Sequence, residues 1–260
     1  MKPQNRTFII SGGSSGLGLA TAYILLDAGA FVSILDLREN KDLSAKDSKR
    51  VKFFKTDVTS ETDINNAVEG TISWARSTNA PLGGVVNCAG IATAAKIIDA
   101  HGNPHSLDLW NFAVAVNLTG AFNLTRLVCK HLINGPVDGE DGERGVVIFV
   151  ASAAAFEGQP GQAAYAATKG GLVSATLPIS RDLARYGIRV NTIAPSAFSS
   201  AMTDRMSEKT RVSLVRELNF PKRFGSGNEF AQTVKFVIEC GYMNGETLRL
   251  SGGARLPGRL

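Results

Sequence analysis

Short apolar runs alternate with longer amphipathic stretches along the chain, and this alternation constrains the fold more than any other feature of the sequence. The strand-like runs are residues 7–10, 30–35, 51–55, 84–87, 145–150, 188–193 and 246–250, and the helix-like stretches are residues 17–27, 61–77, 107–133, 163–185 and 228–240. Unbroken apolar strands that alternate with helices are typical of a parallel sheet covered on both faces. We therefore expect an α/β, doubly wound fold with a parallel sheet of about seven strands.

We predict a single domain over residues 1–260, because no Pro/Ser-rich linker, repeat or low-complexity segment interrupts the chain. Three segments fall outside the alternation: residues 92–106, 134–144 and 196–223. The middle one is glycine-rich and charged, as expected for a solvated loop. The other two follow strands, on the edge where such sheets bind ligands, so they are candidates for shaping a substrate pocket. Residues 196–223 are predicted to be a substrate-loop insertion.

The composition excludes several classes of protein. No apolar run reaches the roughly 18 residues that a membrane span needs, so we predict none. Three widely spaced cysteines and three histidines favour neither a disulfide framework nor a metal site. The net charge of +5 could attract nucleotides or acyl-CoA phosphates, or it could belong to a solvated basic surface. The sequence shows no nucleic-acid motif, and we expect no such partner.

The termini bear on the location of the protein. Residues 1–6 lead almost directly into an apolar strand, so no signal peptide is visible, and the cysteine pattern suits a reducing compartment. The sequence predicts an intracellular protein, cytoplasmic by default. A mitochondrial location stays open, as does a peroxisomal one, because the final Gly-Arg-Leu faintly resembles a Ser-Lys-Leu address.

Tyr165 and Lys169 stand four positions apart in a helical stretch, on one face and one turn from each other. A tyrosine is a poor base in water because its pKa is near 10. A nearby ammonium group favours the phenolate, so we expect Lys169 to lower the pKa of Tyr165. This pair predicts a general acid/base.

A glycine-rich turn, residues 11–18, follows the first strand and opens the first helix. Such a turn lets the backbone approach a pyrophosphate at the helix N-terminus, although glycine turns also serve as plain connections. Asp36 ends the second strand, where a carboxylate can accept hydrogen bonds from the adenosine ribose hydroxyls. It would repel a 2′-phosphate and favours NAD, whereas Arg38 could support NADP.

Two further strand ends lie at the same predicted edge. Asp57 and Val58 follow the third strand, and residues 87–90, Asn-Cys-Ala-Gly, close the fourth. Small residues there would admit a dinucleotide, or they could form a tight structural turn. Asn87 could also brace the neighbouring strand, and Cys88 suits a small packing residue.

Together these motifs resemble the short-chain dehydrogenase/reductase family over essentially the whole chain. They occur in the family's order: the GxxxGxG turn at 12–18, Asp36, Asn-Cys-Ala-Gly at 87–90, Asn117, Ser152, and Tyr165 with Lys169. Within the family the chain most resembles the type 2 3-hydroxyacyl-CoA dehydrogenases, also described as type 10 17β-hydroxysteroid dehydrogenases. The similar segments are residues 16–22, 87–92, 154–159, 161–165 and 176–184, and residues 96–106 resemble a segment that the family uses near its acyl-CoA site.

The resemblance implies a Rossmann-type fold and an NAD-dependent homotetramer that acts on 3-hydroxyacyl-CoA or another secondary alcohol. It implies that Tyr165 takes the hydroxyl proton, that Lys169 lowers its pKa and bonds the nicotinamide ribose, and that Ser152 bonds the substrate oxygen. Asn117 would hold a water in a proton relay. Each could instead be structural: Ser152 a strand cap, Asn117 a backbone brace, Lys169 a solvated lysine and Tyr165 a packing ring.

The remaining site predictions form two sets. The predicted cofactor-binding residues are Gly12, Ser15, Gly16, Leu17, Gly18, Asp36, Asp57, Val58, Asn87, Cys88, Ala89, Gly90, Tyr165, Lys169, Pro195, Phe198 and Ser200. The predicted substrate-binding residues are Ser152, Gln159, Gln162 and Tyr165, of which the two glutamines could equally be plain loop residues. Phe198 and Ser200 could belong to a mobile lid.

One departure weakens the transfer of the substrate. The family usually has Pro-Gly after the sixth strand, where this chain has Pro195-Ser196, and the loop that follows diverges most. We therefore predict an oxidoreductase of a 3-hydroxyacyl-CoA, with two alternatives: an enzyme of a specialised-metabolite or steroid-like alcohol, and a non-catalytic binding or scaffold protein that retains the fold. The intact set of four catalytic candidates weighs against the scaffold.

Overall fold

The structure is a computed structural model and describes residues 1–199, 208–255 and 258. Within these ranges seven parallel strands form one sheet in the order β3-β2-β1-β4-β5-β6-β7. The strands are β1 (Thr7–Ser11), β2 (Phe31–Asp36), β3 (Val51–Lys55), β4 (Leu82–Asn87), β5 (Gly145–Val150), β6 (Ile188–Pro195) and β7 (Thr247–Leu250). The order reverses between β1 and β4, and ligands of such sheets bind in the crevice at the carboxyl ends there.

Helices connect the strands and cover the sheet. They are α1 (Gly16–Asp27), α2 (Lys41–Lys46), α3 (Glu61–Ser77), α4 (Leu107–Val114), α5 (Gly120–Leu132), α6 (Ala154–Glu157), α7 (Ala163–Ala184), α8 (Glu208–Arg216) and α9 (Gly227–Glu239). A π-helical turn, Ala115–Thr119, joins α4 to α5. Side-chain caps start several of them: Ser60 accepts from Asp63 N at α3, and Ser226 and Glu229 form a capping box at α9.

The alternation of side chains along each strand builds a core on each face of the sheet. On β1, Phe8 and Ile10 pack under α1 and α9, whereas Ile9 points to the opposite face. That opposite core also takes residues from α3, α5 and α7, among them Ile64, Leu124 and Leu172. The predicted doubly wound α/β fold is therefore confirmed, and the edge strands β3 and β7 are less buried than the centre.

A buried ion pair lies at the amino edge of the sheet. Arg189, at the start of β6, donates from Nε to Glu143 Oε1 at 2.9 Å, and the Met1 amino group donates to Glu143 Oε2 at 3.0 Å. The other guanidinium nitrogens of Arg189 donate to the main-chain oxygens of Val237, Ile238 and Met243. One guanidinium thus links β6 to the end of α9, far from the carboxyl edge.

The segment predicted as a substrate loop contains a helix, α8, and is held at several points. Ser199 N donates to Gly225 O and Gly225 N donates to Ala197 O, both at 2.9 Å. Further along, Asn219 Nδ2 donates to Gly253 O at 2.7 Å. A small apolar cluster packs the same region against the turn after β7; its members are Leu214, Leu218, Phe224 and Ala254.

The helical stretch Leu107–Leu132 is long and apolar enough to cross a membrane by length and composition, with a mean hydropathy of 1.3 in its best window. Half of that window is buried inside the protein, and one face of α5 packs on the sheet. Buried core helices meet the same criterion, so this stretch is weak evidence for a membrane span.

Candidate active site

The glycine turn between β1 and α1 forms one end of the candidate site. Gly12 has a φ of +67°, and a Cβ there would lie 2.8 Å from Ala89 Cα, so only glycine fits. A Cβ on Gly18 would collide with the carbonyl oxygen of Gly12. Ser15 precedes α1 without a side-chain cap, which leaves the first amides of that helix free of a cap. A helix N-terminus of this kind suits a phosphate.

Asp36 closes this end at the tip of β2. Its Oδ2 accepts from Ser14 N at 3.1 Å and its Oδ1 accepts from Leu37 N at 2.7 Å. These bonds join the second strand to the glycine turn and fix the carboxylate. Arg38, two residues on, is exposed.

A single cavity of about 410 Å³ runs along the carboxyl edge and joins most of the predicted site. Of the predicted cofactor residues it is lined by Gly12, Ser15, Gly16, Leu17, Gly18, Asp36, Asp57, Val58, Cys88, Ala89, Gly90, Tyr165, Lys169, Pro195 and Phe198. Ser152 lines it too. Asn87 does not: it is buried, and its Nδ2 donates to Thr125 Oγ1 on helix α5 at 3.2 Å, so this bond braces a helix and not the neighbouring strand. Ser200 lies outside the described residues.

Several lining residues were not predicted. Thr59 stands two residues beyond Asp57 and donates its hydroxyl to Asp57 Oδ1 at 2.7 Å. Phe112 on α4 and Val116 in the π-helical turn lie four positions apart and line the cavity with apolar side chains. Their helical spacing could have indicated one apolar helix face, but residues of a helix that packs in the core show the same spacing.

Ser152 and Tyr165 meet at the other end of the cavity. Ser152 follows β5, and its Oγ accepts from Ala154 N at 3.1 Å at the start of α6. Burial raises the pKa of Tyr165 on α7 above its ordinary value, and a side-chain interaction with Ser152 opposes that change. The pKa is therefore raised, contrary to the expectation that Lys169 lowers it.

Lys169 is buried beside Tyr165, with its Nζ 5.8 Å from the centre of the tyrosine ring. Nζ donates to the carbonyl oxygen of Val150 at 2.8 Å. Burial lowers the pKa of Lys169 to about 8, and the nearby Cys88 opposes that change. Lys169 is not among the causes of the shift in the pKa of Tyr165, which are burial and Ser152. Burial also raises the pKa of the Cys88 thiol to about 12, consistent with a packing residue.

Asn117 lies in the π-helical turn and is fully buried. Its Oδ1 accepts from Ile91 N at 2.8 Å, and its Nδ2 donates to Ile91 O at 2.9 Å and to Thr168 Oγ1 at 3.1 Å. Both amide hydrogens are thus used to tie the segment after β4 to α7. Asn117 thus links α7, through Thr168, to the segment after β4 that lines the cavity.

The two glutamines predicted to touch substrate are not among the described residues that line the cavity. Gln162 Oε1 accepts from Gln159 N at 2.9 Å and so stabilises the turn before α7. Their substrate role stays a prediction. Among the described residues, no group of three His, Cys, Asp or Glu side chains is arranged to hold a metal.

Comparison with known proteins agrees with this geometry. The family model for short chain dehydrogenase matches residues 6–211. The 3-hydroxyacyl-CoA dehydrogenase type-2 of Bos taurus is 43% identical over 95% of this chain and 94% of its own length. The ipsdienol dehydrogenase of Ips pini is 32% identical, covering 98% of this chain and 99% of its own.

A solved structure is similar as well. The crystal structure of 3-hydroxyacyl-CoA dehydrogenase type-2 from Mycobacterium avium superposes with a TM-score of 0.91 at 35% identity, covering 98% of both chains. This chain therefore belongs to the short-chain dehydrogenase family and is an oxidoreductase that acts on CH–OH donors with a nicotinamide cofactor.

Proposed function

We propose that the protein interconverts a 3-hydroxyacyl-CoA and the corresponding 3-ketoacyl-CoA, with NAD as the cofactor. The observation that carries this proposal is one continuous cavity that has the glycine turn and Asp36 at one end and Ser152 with Tyr165 at the other. The substrate class is supported by relatives of that name at 40–43% identity over at least 95% of this chain.

The described residues fit the cofactor at the nucleotide end. Gly12 and Gly18 allow close backbone contacts within the turn that a Cβ would break, both glycines line the cavity, and the uncapped start of α1 suits a pyrophosphate. The Asp36 carboxylate can accept hydrogen bonds from ribose hydroxyls and would repel a 2′-phosphate, which favours NAD over NADP. When bound, the nicotinamide supplies or accepts the hydride.

The other residues move the proton and hold the substrate oxygen. In the oxidation, Tyr165 takes the hydroxyl proton as general base, and it returns the proton in the reduction. Ser152 orients the substrate oxygen through a hydrogen bond and, in the reduction, stabilises the charge that develops on it. Lys169 lies beside Tyr165 within the cavity and would favour its phenolate once its own ammonium is retained by a ribose oxygen. Asn117 holds α7 in register with the segment after β4.

A second candidate is an alcohol of specialised metabolism as substrate. It is favoured by the similarity to ipsdienol dehydrogenase and by the departure at Pro195-Ser196. The chemistry of Tyr165, Ser152 and Lys169 would be the same, and only the substrate walls would differ. The homotetramer, the compartment and the substrate role of residues 196–223 stay predictions of the sequence.

Two assays test the proposal. NADH consumption with acetoacetyl-CoA, compared with NADH formation on a panel of secondary alcohols, identifies the substrate class. Turnover of alcohols alone would favour the second candidate, and turnover of none would favour a scaffold. In the second assay, Tyr165→Phe should keep NADH binding while kcat falls at least ~100-fold, since general base catalysis contributes 10²–10⁴. Full activity in that variant would contradict the role of Tyr165.

A further inference from the structure

The short helix α6 connects Ser152 to an ion pair at its far end. Ser152 Oγ accepts from Ala154 N, so the first residues of α6 set the position of the serine hydroxyl. Glu157 is the last residue of α6, and its Oε1 accepts from Arg249 at 2.6 Å. One side chain therefore links the serine turn to β7.

Arg249 contacts α6 from the edge strand β7, which lies beside β6. It stands on β7 opposite Ala194 of β6, one residue before the pair Leu250 and Pro195, and Pro195 lines the cavity. Its guanidinium lies 4.8 Å from the centre of the Phe156 ring. A second cation, Arg255, approaches Glu157 Oε2 at 3.8 Å.

The Glu157–Arg249 pair is shielded from water. The side chain of Glu157 is 13% exposed and that of Arg249 is 24% exposed. Arg249 Nε is buried and has no hydrogen-bond acceptor in the described part of the chain, which leaves Glu157 as the group that neutralises this guanidinium. A shielded pair is screened less by salt than one at the surface.

A helix of four residues depends on such an anchor. A single turn is unstable on its own because nucleation is unfavourable. The strand end before α6 is already held, since Ala151 N and Ala153 N donate to main-chain oxygens of β6. On the exit side the turn before α7 is held by Gln159 N, which donates to Gln162 Oε1, and by Gly161 O, which accepts from Ala95 N. Glu157 adds the side-chain link from the last residue of α6 to β7.

We propose that Glu157 is a positioning residue: its ion pair with Arg249 holds α6 so that the Ser152 hydroxyl stays directed at Tyr165. This inference rests on the proposed function, in which Ser152 and Tyr165 act on the substrate oxygen. Glu157 is not among the described residues that line the cavity. Its effect passes through the α6 turn.

The test compares Glu157→Ala, Arg249→Met and the double variant with a control, Glu239→Ala. Glu239 accepts from Lys235 at 2.8 Å in a pair on α9 that is more exposed. Each test single should lower kcat by about 10- to 100-fold, the cost of a misplacement near 1 Å. The double variant should be no worse than the worse single, because both remove the same link. NADH affinity should not change, and the control should match the wild type.

A second measurement needs no substrate. The tyrosinate absorbance of each variant, minus that of the same variant carrying Tyr165→Phe, isolates the titration of Tyr165 among the four tyrosines. Displacement of Ser152 should raise the pKa of Tyr165, because the interaction with Ser152 lowers that pKa. If the enzyme oxidises its substrate, the oxidation rate should increase with pH as Tyr165 loses its proton, and this increase should occur at higher pH in the test variants than in the wild type.

The outcomes separate the two proposals. An unshifted Tyr165 titration in both test singles overturns the role of Glu157, even in a protein that oxidises no alcohol. If the titration of Tyr165 shifts in the test variants but the wild type turns over no substrate, the positioning role stands and the proposed activity is refuted. A fall in NADH affinity equal to the fall in kcat would show general damage to the site and would also overturn the positioning role of Glu157. Thermal melting of each variant shows whether it folds.

Discussion

The carboxylate of Asp36 offers the sharpest test of cofactor choice. It lies at the tip of β2 and is fixed by bonds from Ser14 N and Leu37 N. We expect Asp36→Ala to weaken NADH binding, because the variant loses a charged acceptor for the ribose hydroxyls. A hydrogen bond to a charged group contributes about 1.5–3 kcal/mol, which corresponds to a rise in Kd of about 10- to 150-fold.

The same change should act in the opposite direction on NADPH. A 2′-phosphate near Asp36 meets a like charge, and two unit charges 5 Å apart repel by about 3 kcal/mol at an effective dielectric constant of 20. Removal of the carboxylate relieves that repulsion, and Arg38 is then free to approach the phosphate. We expect the ratio of the two dissociation constants to move by more than ~100-fold in favour of NADPH.

Fluorescence titration of both reduced cofactors measures this ratio without any substrate. Asp36→Asn is the matched control, because it keeps the shape and an acceptor but removes the charge, so it should relieve the repulsion while weakening NADH less. Arg38→Ala in the Asp36→Ala background should abolish the gain in NADPH affinity. An unchanged preference in Asp36→Ala would refute the reasoning.

Two further predictions concern buried charges. Glu143→Gln should lower the free energy of unfolding by about 3–5 kcal/mol, because it leaves the Arg189 charge buried and unpaired. The corresponding fall in Tm is roughly 6–20 °C. A loss below ~1 kcal/mol in urea unfolding would contradict this prediction. The lowered pKa of Lys169, about 8 in the folded protein, means that the unfolded chain binds more protons between pH 8 and 9. The contribution of Lys169 to stability should therefore rise by about 1 kcal/mol across that interval. The raised pKa values of the Cys88 and Cys129 thiols act in the opposite direction in the wild type and in Lys169→Met alike. The free energy of unfolding of the wild type minus that of Lys169→Met, from the same urea unfolding, should therefore increase by about 1 kcal/mol from about pH 8 to about pH 9.

The strands could be predicted from the sequence because each is an apolar run too short for a helix. All seven predicted runs overlap the observed strands within a few residues. The short helices α2 and α6 and the helix α8 were not predicted. A single turn such as α6 has no periodic pattern to detect, and it persists here through tertiary contacts such as the Glu157–Arg249 pair.

The candidate site could be predicted where a motif fixes the backbone, and less well where side chains choose between partners. Gly12, Asp36 and Tyr165 line the cavity as predicted, the first two from strand ends and the third from one face of a helix. Asn87 bonds Thr125 instead of lining the cavity. The pKa of Tyr165 depends on how deeply it is buried, and that depth comes from tertiary packing that residue spacing does not encode.

The two hydrogen bonds that join residues 197 and 199 to Gly225 bear on how this enzyme could change its substrate. They bring the two ends of the intervening chain together, and Leu214, Leu218 and Asn219 add contacts with the turn after β7. Doubling the length of a flexible loop costs only about 0.6 kcal/mol when its ends are already held. Insertions, deletions or an exchanged segment that keep the contacts of Leu214, Leu218 and Asn219 would leave the strand register and the proton-transfer residues in place. The predicted substrate loop is therefore a segment that could be exchanged with those of relatives.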